Sequence, residues 1–185
     1  MSLNDWYEKA VTPEQYRETL TNHKEGFEQI YSLFDLPADE TFFERLKASS
    51  IRTLVLAEPW CGHCMLDIPI LLKLADRANL PVRFLHRDEN LELMDRYLTN
   101  GKSRSIPIFI FLNENGEELS KWGPIAEKTK QFVEPYKSEL PPKDAPDYEE
   151  KFKVFAQSVS KGFQEREDIW KGVYESIKDS LEQAL

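Results

Sequence analysis

The chain contains two cysteines, and both fall in the run Glu58-Pro59-Trp60-Cys61-Gly62-His63-Cys64. This close pair constrains the fold more than any other feature, because the flanking residues tie it to two different elements. Upstream, Arg52 to Ala57 reads as a short buried strand. Downstream, Met65 to Ala78 reads as a helix whose Leu66, Ile70 and Leu74, with Ile68, Leu71, Leu72 and Ala75 beside them, form a wide apolar stripe suited to a sheet. Cys61 therefore falls at a strand-to-helix turn. There the free N–H groups and the positive end of the helix dipole favour a thiolate and lower the pKa of the first cysteine. Gly62 lets the backbone turn closely, and a protonated His63 would add a positive charge beside the sulfurs. The dipole and that charge both favour the reduced form and make the disulfide a stronger oxidant.

Three chemistries use such a pair. A structural bridge between Cys61 and Cys64 closes too short a loop to staple a fold. A structural zinc site needs four ligands, and the other histidines, His23 and His86, belong to no second ligand pair. A metal–sulfur site would then need a partner's ligand, so no metal and no cofactor is expected of the chain itself. The third chemistry is a dithiol that cycles with a disulfide, the first thiolate attacking and the second thiol resolving the mixed disulfide.

Composition limits the partners. At 185 residues, 41% hydrophobic and 31% charged, with 7 Gly and 11 Pro, the chain should fold around one hydrophobic core with room for appended helices. A net charge of −9 repels phosphate backbones and anionic lipid, so neither nucleic acid nor a membrane is an expected partner. No apolar run approaches the ~20 residues of a spanning helix. The start, Met-Ser-Leu-Asn-Asp-Trp-Tyr-Glu, lacks the basic and apolar regions of a signal peptide, which leads to an expectation of a cytoplasmic protein.

The Trp-Cys-x-x-Cys run between a buried strand and a long helix resembles the thioredoxin superfamily. Two further landmarks support the resemblance. Pro69 lies five residues after the second cysteine, and Ser105-Ile106-Pro107 precedes the apolar run Ile108 to Leu112, as the superfamily's cis-proline does. The resemblance implies that the Ile106–Pro107 segment lies beside the dithiol and pairs with an extended substrate. The remaining core follows the same order: a strand over 81–86, a helix over 90–98, the strand over 108–112, a turn at Asn115-Gly116, a strand over 118–122, and a helix from Ile125 to about Tyr136. Trp-Cys-Gly-His-Cys itself is typical of protein disulfide isomerases, the more oxidising relatives. One departure stands out. Thioredoxins usually carry a buried Asp six residues before the first cysteine as proton acceptor for the resolving thiol, and Val55 stands there. Glu58 is the nearest carboxylate and could take that role through a water, or be an exposed loop acid.

The fold class expected is thus α/β and thioredoxin-like, a mixed central sheet flanked by helices. Residues 1–50 form a helical extension, 51–138 the core, and 139–185 a Pro-rich connector and a long C-terminal helix, all in one compact unit. In the extension, Thr12-Pro13-Glu14-Gln15 is close to a capping box. Tyr16, Leu20, His23, Phe27, Ile30 and Phe34 then follow along one face of a single helix, with His23 as a half-buried packing residue. A second helix spans Glu40 to Ala48 with Phe42, Phe43 and Leu46 inward. Such extensions occur in some bacterial thioredoxin-like proteins. After Pro141 to Pro146, a stripe of nearly forty residues starts at Asp147, capped with Glu150 and weakened as a rigid rod by Gly162 and Gly172.

The function expected is thiol–disulfide exchange on proteins or small thiols. Cys61 attacks and Cys64 resolves, His63 tunes the potential, Trp60 shapes the contact surface, and Ile106–Pro107 holds the substrate. A reductase or a thiol pool would return the electrons. The alternative is a binding or chaperone-like module that recruits a partner through its C-terminal helix, with the dithiol secondary.

Overall fold

The computed structural model describes residues 1–185. Four helices precede the sheet: α1 (Leu3–Lys9), α2 (Pro13–Glu18), α3 (Lys24–Leu33) and α4 (Glu40–Ala48). Ser2 and Thr12 each close a full capping box, Thr12 with Gln15 as its sequence indicates. Asp39 caps α4 through the Phe42 N–H at 3.2 Å. The single helix expected through Tyr16 to Phe34 is instead two. Thr19 turns its hydroxyl back onto the Tyr16 carbonyl at 2.6 Å, and the chain leaves the helix until His23. The spacing still serves its purpose, since Tyr16, Leu20, Phe27, Ile30 and Phe34 are all buried.

The core follows as β1 (Arg52–Ala57), α5 (Gly62–Ala78), β2 (Val82–His86), α6 (Leu91–Met94), β3 (Ile108–Leu112), β4 (Glu118–Trp122) and α7 (Glu127–Ser138). The sheet order is β2-β1-β3-β4, with β1 parallel to β2 and the other pairs antiparallel. The helix expected over 90–98 shrinks to the one turn of α6, preceded by a 3₁₀ turn at Arg87–Glu89. The Asn90 side chain donates to the His86 carbonyl at 2.7 Å and leaves the helix start uncapped.

Strand pairing lines up Phe84, Val55, Phe109 and Trp122 across the sheet. On that face Tyr16 of α2 stacks on Phe84 with ring centres 4.5 Å apart, and Phe109 stacks on Trp122 at 4.7 Å. The opposite face carries Arg52 and Arg83 against Tyr7 of α1, with Tyr97 beneath Lys121 further along.

After the Pro141–Pro146 connector the chain forms α8 (Tyr148–Glu165) and α9 (Glu167–Ala184) rather than one rod. The break is at Arg166, whose backbone is extended and whose guanidinium grips Asp168, not at either glycine. Gly162 and Gly172 are instead the places where α7 comes close. A Cβ on Gly172 would lie 2.5 Å from the Cβ of Lys128, and one on Gly162 would overlap the Phe132 ring. Asp147 makes no cap; it pairs with Lys151 one turn on, at 2.9 Å. Helix α9 is anchored on the sheet, where Trp122 Nε1 donates to Ser176 Oγ at 2.8 Å and Ser120 Oγ donates to the Ser180 carbonyl at 2.6 Å.

Candidate active site

The turn from β1 into α5 places the dithiol. Cys61 is the N-cap of α5, with extended backbone, and its sulfur accepts the Cys64 backbone N–H at 3.3 Å. Across the loop it reaches the Ile106 carbonyl at 3.7 Å, just before the cis Ile106–Pro107 bond. Gly123 fixes that loop from behind. It adopts φ +117°, and any side chain there would collide with the Pro107 carbonyl.

Both cysteines are free thiols. Hydrogen bonding from Cys64, then from the backbone N–H groups of Cys64 and His63, holds Cys61 below the ordinary thiol range, and the nearby charge of Arg87 adds to this. Cys64 is only 1% exposed, and burial followed by its bond to Cys61 pushes it well above that range. The two sulfurs are thus differentiated: Cys61 gives up its proton more readily than the deeper Cys64.

The source of positive charge differs from the sequence expectation. His63 packs its ring 5.2 Å from that of Phe163 on α8, its Nδ1 is buried without a partner, and burial lowers its pKa. The imidazole is therefore neutral near pH 7, and its contribution to the thiolate is its backbone N–H. Arg87 supplies the cation. Its guanidinium lies 4.9 Å over the Trp60 ring and donates to the Arg104 carbonyl at 2.9 Å.

Trp60 is 55% exposed beside the sulfurs, and its carbonyl is met by His23 Nε2 at 3.1 Å. His23 thus does more than pack: it ties the start of α3 to the cysteine loop. Gly62 has open space around its Cα. Glu58 is buried rather than an exposed loop acid. Its carboxylate accepts the Asp88 N–H at 2.8 Å and lies 3.5 Å from His86 Nδ1.

Sequence reasoning passed over Asp67. It lies on α5 three residues after Cys64, is 0% exposed, and neither carboxylate oxygen has a partner. Its signal was available: one acid inside Met65-Leu66-Asp67-Ile68-Pro69-Ile70-Leu71-Leu72, where every other residue is apolar. Tyr16 was assigned only to packing, yet its hydroxyl is raised by burial and by the two thiols, which places it in the same neighbourhood. No group of three or more His, Cys, Asp or Glu side chains could hold a metal ion. No helix is long and apolar enough to cross a membrane.

A four-stranded mixed sheet, a Cys-x-x-Cys turn at the head of its long helix and a proline loop against the first sulfur define a thioredoxin-like protein. The chain belongs to the thioredoxin family, whose profile matches residues 10–139. The match begins well before residue 51, so α2, α3 and α4 lie within it. Among solved structures, a protein of unknown function, PA1234 from Pseudomonas aeruginosa, is similar over 100% of this chain and 99% of its own, with TM-score 0.67 and 13% identity. An HIV epitope-scaffold is similar over 100% of both chains, with TM-score 0.64 and 15% identity. These likenesses concern the fold. No curated protein matches the sequence.

Proposed function

We propose that the protein is a thiol–disulfide oxidoreductase that reduces or exchanges disulfides of proteins or small thiols. The observation that carries this reading is the split between the two sulfurs: Cys61 capped by N–H donors and held low, Cys64 buried and held high. In the reaction, the Cys61 thiolate attacks a substrate disulfide, forms the Cys61–S–S–R bond and expels the other half as a thiolate. Cys64 then loses its proton and attacks the Cys61 sulfur. The Cys61–Cys64 bond forms, the second substrate thiolate leaves, and two electrons have passed from the dithiol to the substrate. The exposed face of Trp60 offers apolar contact, and the Ile106–Pro107 edge offers main-chain groups for an extended substrate. A reductase or a cytoplasmic thiol pool would restore the dithiol.

Equilibration in graded thiol–disulfide buffers, with trapping of free thiols, tests this. A reversible Cys61–Cys64 couple is expected, lost in Cys61→Ser. A potential near roughly −260 mV or below identifies a general reductase, and one above roughly −200 mV an isomerase-like dithiol used on weak disulfides. A couple that never forms reversibly sinks the reading. One observation favours a second reading: Phe152 and Val154 on α8 are exposed and apolar. A partner-recruiting module would keep its function when both cysteines are changed to Ser.

A further inference from the structure

The buried carboxylate of Asp67 needs a reason to exist. An ionisable group taken out of water without a hydrogen-bond partner destabilises the fold, and here both oxygens are fully covered and unpaired. Positions three apart on a helix are surface neighbours one turn on, so Asp67 lies one turn beyond Cys64 on α5, near enough for its charge to act on that thiol. Cys64 is itself shut off from solvent, and its proton has to leave before it can attack. Two buried carboxylates are candidates to receive it. Glu58 is already committed to the Asp88 N–H and faces His86. Asp67 has every acceptor site open.

We propose that Asp67 takes the proton of Cys64 when the mixed disulfide is resolved, and holds it beneath the disulfide that forms. This rests on the oxidoreductase reading above. The ionisable groups around the dithiol are Cys61, His63 and Cys64 at the head of α5, Tyr16 from α2, Glu58 after β1 and Arg87 beyond β2. Burial, and then the Cys61 charge, push Asp67 well above the carboxylate range, and no cation opposes them. Their order of events follows from that coupling. While Cys61 is a thiolate, Asp67 keeps its proton, so the buried site holds one negative charge. Attack on the substrate moves that charge onto the first leaving thiolate, which carries it away, and with the Cys61 charge gone Asp67 gives up its proton to solvent. Asp67, now a carboxylate, accepts the Cys64 proton. The Cys64 thiolate forms the bond to Cys61, the Cys61–S–R bond breaks, and the charge leaves on the second thiolate. Asp67 ends the cycle protonated beneath the new disulfide.

The test uses the reduced full chain and one equivalent of a symmetric aromatic disulfide whose released thiolate is coloured, followed by stopped flow. Wild type should release colour in two phases, the first from Cys61 attack and the second from Cys64. In Asp67→Asn the first phase should keep its rate. The second should slow about a hundredfold and become proportional to hydroxide concentration, with Asp67→Glu recovering part of it. Infrared spectra of oxidised and of reduced protein should each show a protonated carboxyl band, shifted between the two states and absent from Asp67→Asn. A second phase unchanged in Asp67→Asn, or both phases slowed alike, overturns the assignment and leaves the oxidoreductase reading intact. Absence of the first phase in wild type overturns that reading and this inference with it.

Discussion

Helices α8 and α9 are neighbours in sequence, each 18 residues long, and each carries an apolar stripe at helical spacing. Their fates differ. In α9, Ile169, Trp170, Val173, Tyr174, Ile177 and Leu181 are all buried against β4, α5 and α7, whereas in α8 only Val159 and Phe163, near its C-terminal end, are. In the first half of α8 Phe155 is only partly buried against the core, and Phe152 is 44% exposed. Periodicity tells a helix which side is apolar; the partner on that side depends on what the rest of the chain places there. The Arg166 break matters for this reason. It lets α9 turn onto the sheet while α8 reaches the cysteine loop only at its end, through Phe163 on His63.

The sharpest way to break this contrast is a matched pair of truncations. Ile177→Ala, at a fully buried position of α9, should cost about 2–5 kcal/mol of stability, while Phe152→Ala on α8 should stay within about 0.5 kcal/mol; chemical denaturation measures both. Equal losses would mean that α8 is packed as firmly as α9. A smaller difference is expected between the two glycines. Gly172→Ala forces α9 off the Lys128 stem near its root and should cost about 1–3 kcal/mol. Gly162→Ala meets only the far edge of the Phe132 ring, which can swing, and alanine's better helix propensity, worth about 1 kcal/mol, offsets most of the strain. The smallest effect is a pH dependence. Burial lowers the His63 pKa in the folded state, so the unfolded chain binds more protons, and stability falls as pH drops from about 6.5 through the lowered value. Asp67, whose folded pKa is raised, acts with the opposite sign, its stabilisation being lost as pH rises from about 3.8. The difference in unfolding midpoint between wild type and His63→Gln across pH 5 to 8 isolates the histidine: the variant should lose the acid-side decline.

Much of this architecture can be read without coordinates. Three strands, Arg52–Ala57, Ile108–Leu112 and Glu118–Trp122, fall where their apolar runs and bounding turns place them, because a short run flanked by Gly, Pro and Asn leaves the backbone few other choices. The cysteine turn and the proline loop are legible for the same reason, since each is a local motif. What escaped depends on contacts between distant segments. The charge of His63 is decided by Phe163, the cation at the sulfurs comes from Arg87, and the split between α2 and α3 hangs on one threonine hydroxyl. Gly162 and Gly172 read as weak points of a rod because only the fold reveals α7 lying across them. Asp67 is the exception: a lone acid in the apolar run Met65 to Leu72, it stands out in the sequence itself.

The two margins of the sheet are finished differently. Beside β2, Val11 makes a single antiparallel bridge, exchanging both hydrogen bonds with Phe84 at 2.9 Å, so the segment between α1 and α2 occupies the middle of that border. Beside β4 nothing pairs, but the strand is only five residues long, its register with β3 is broken by an irregularity at Phe111/Leu112, and Glu118 and Lys121 are exposed along it. Short length, a bulge and charge are the devices that discourage a foreign strand from adding to an open edge. Both borders of the sheet are thus closed to strand addition, and under the function proposed above the loop before Pro107 is the backbone left on offer to an extended substrate.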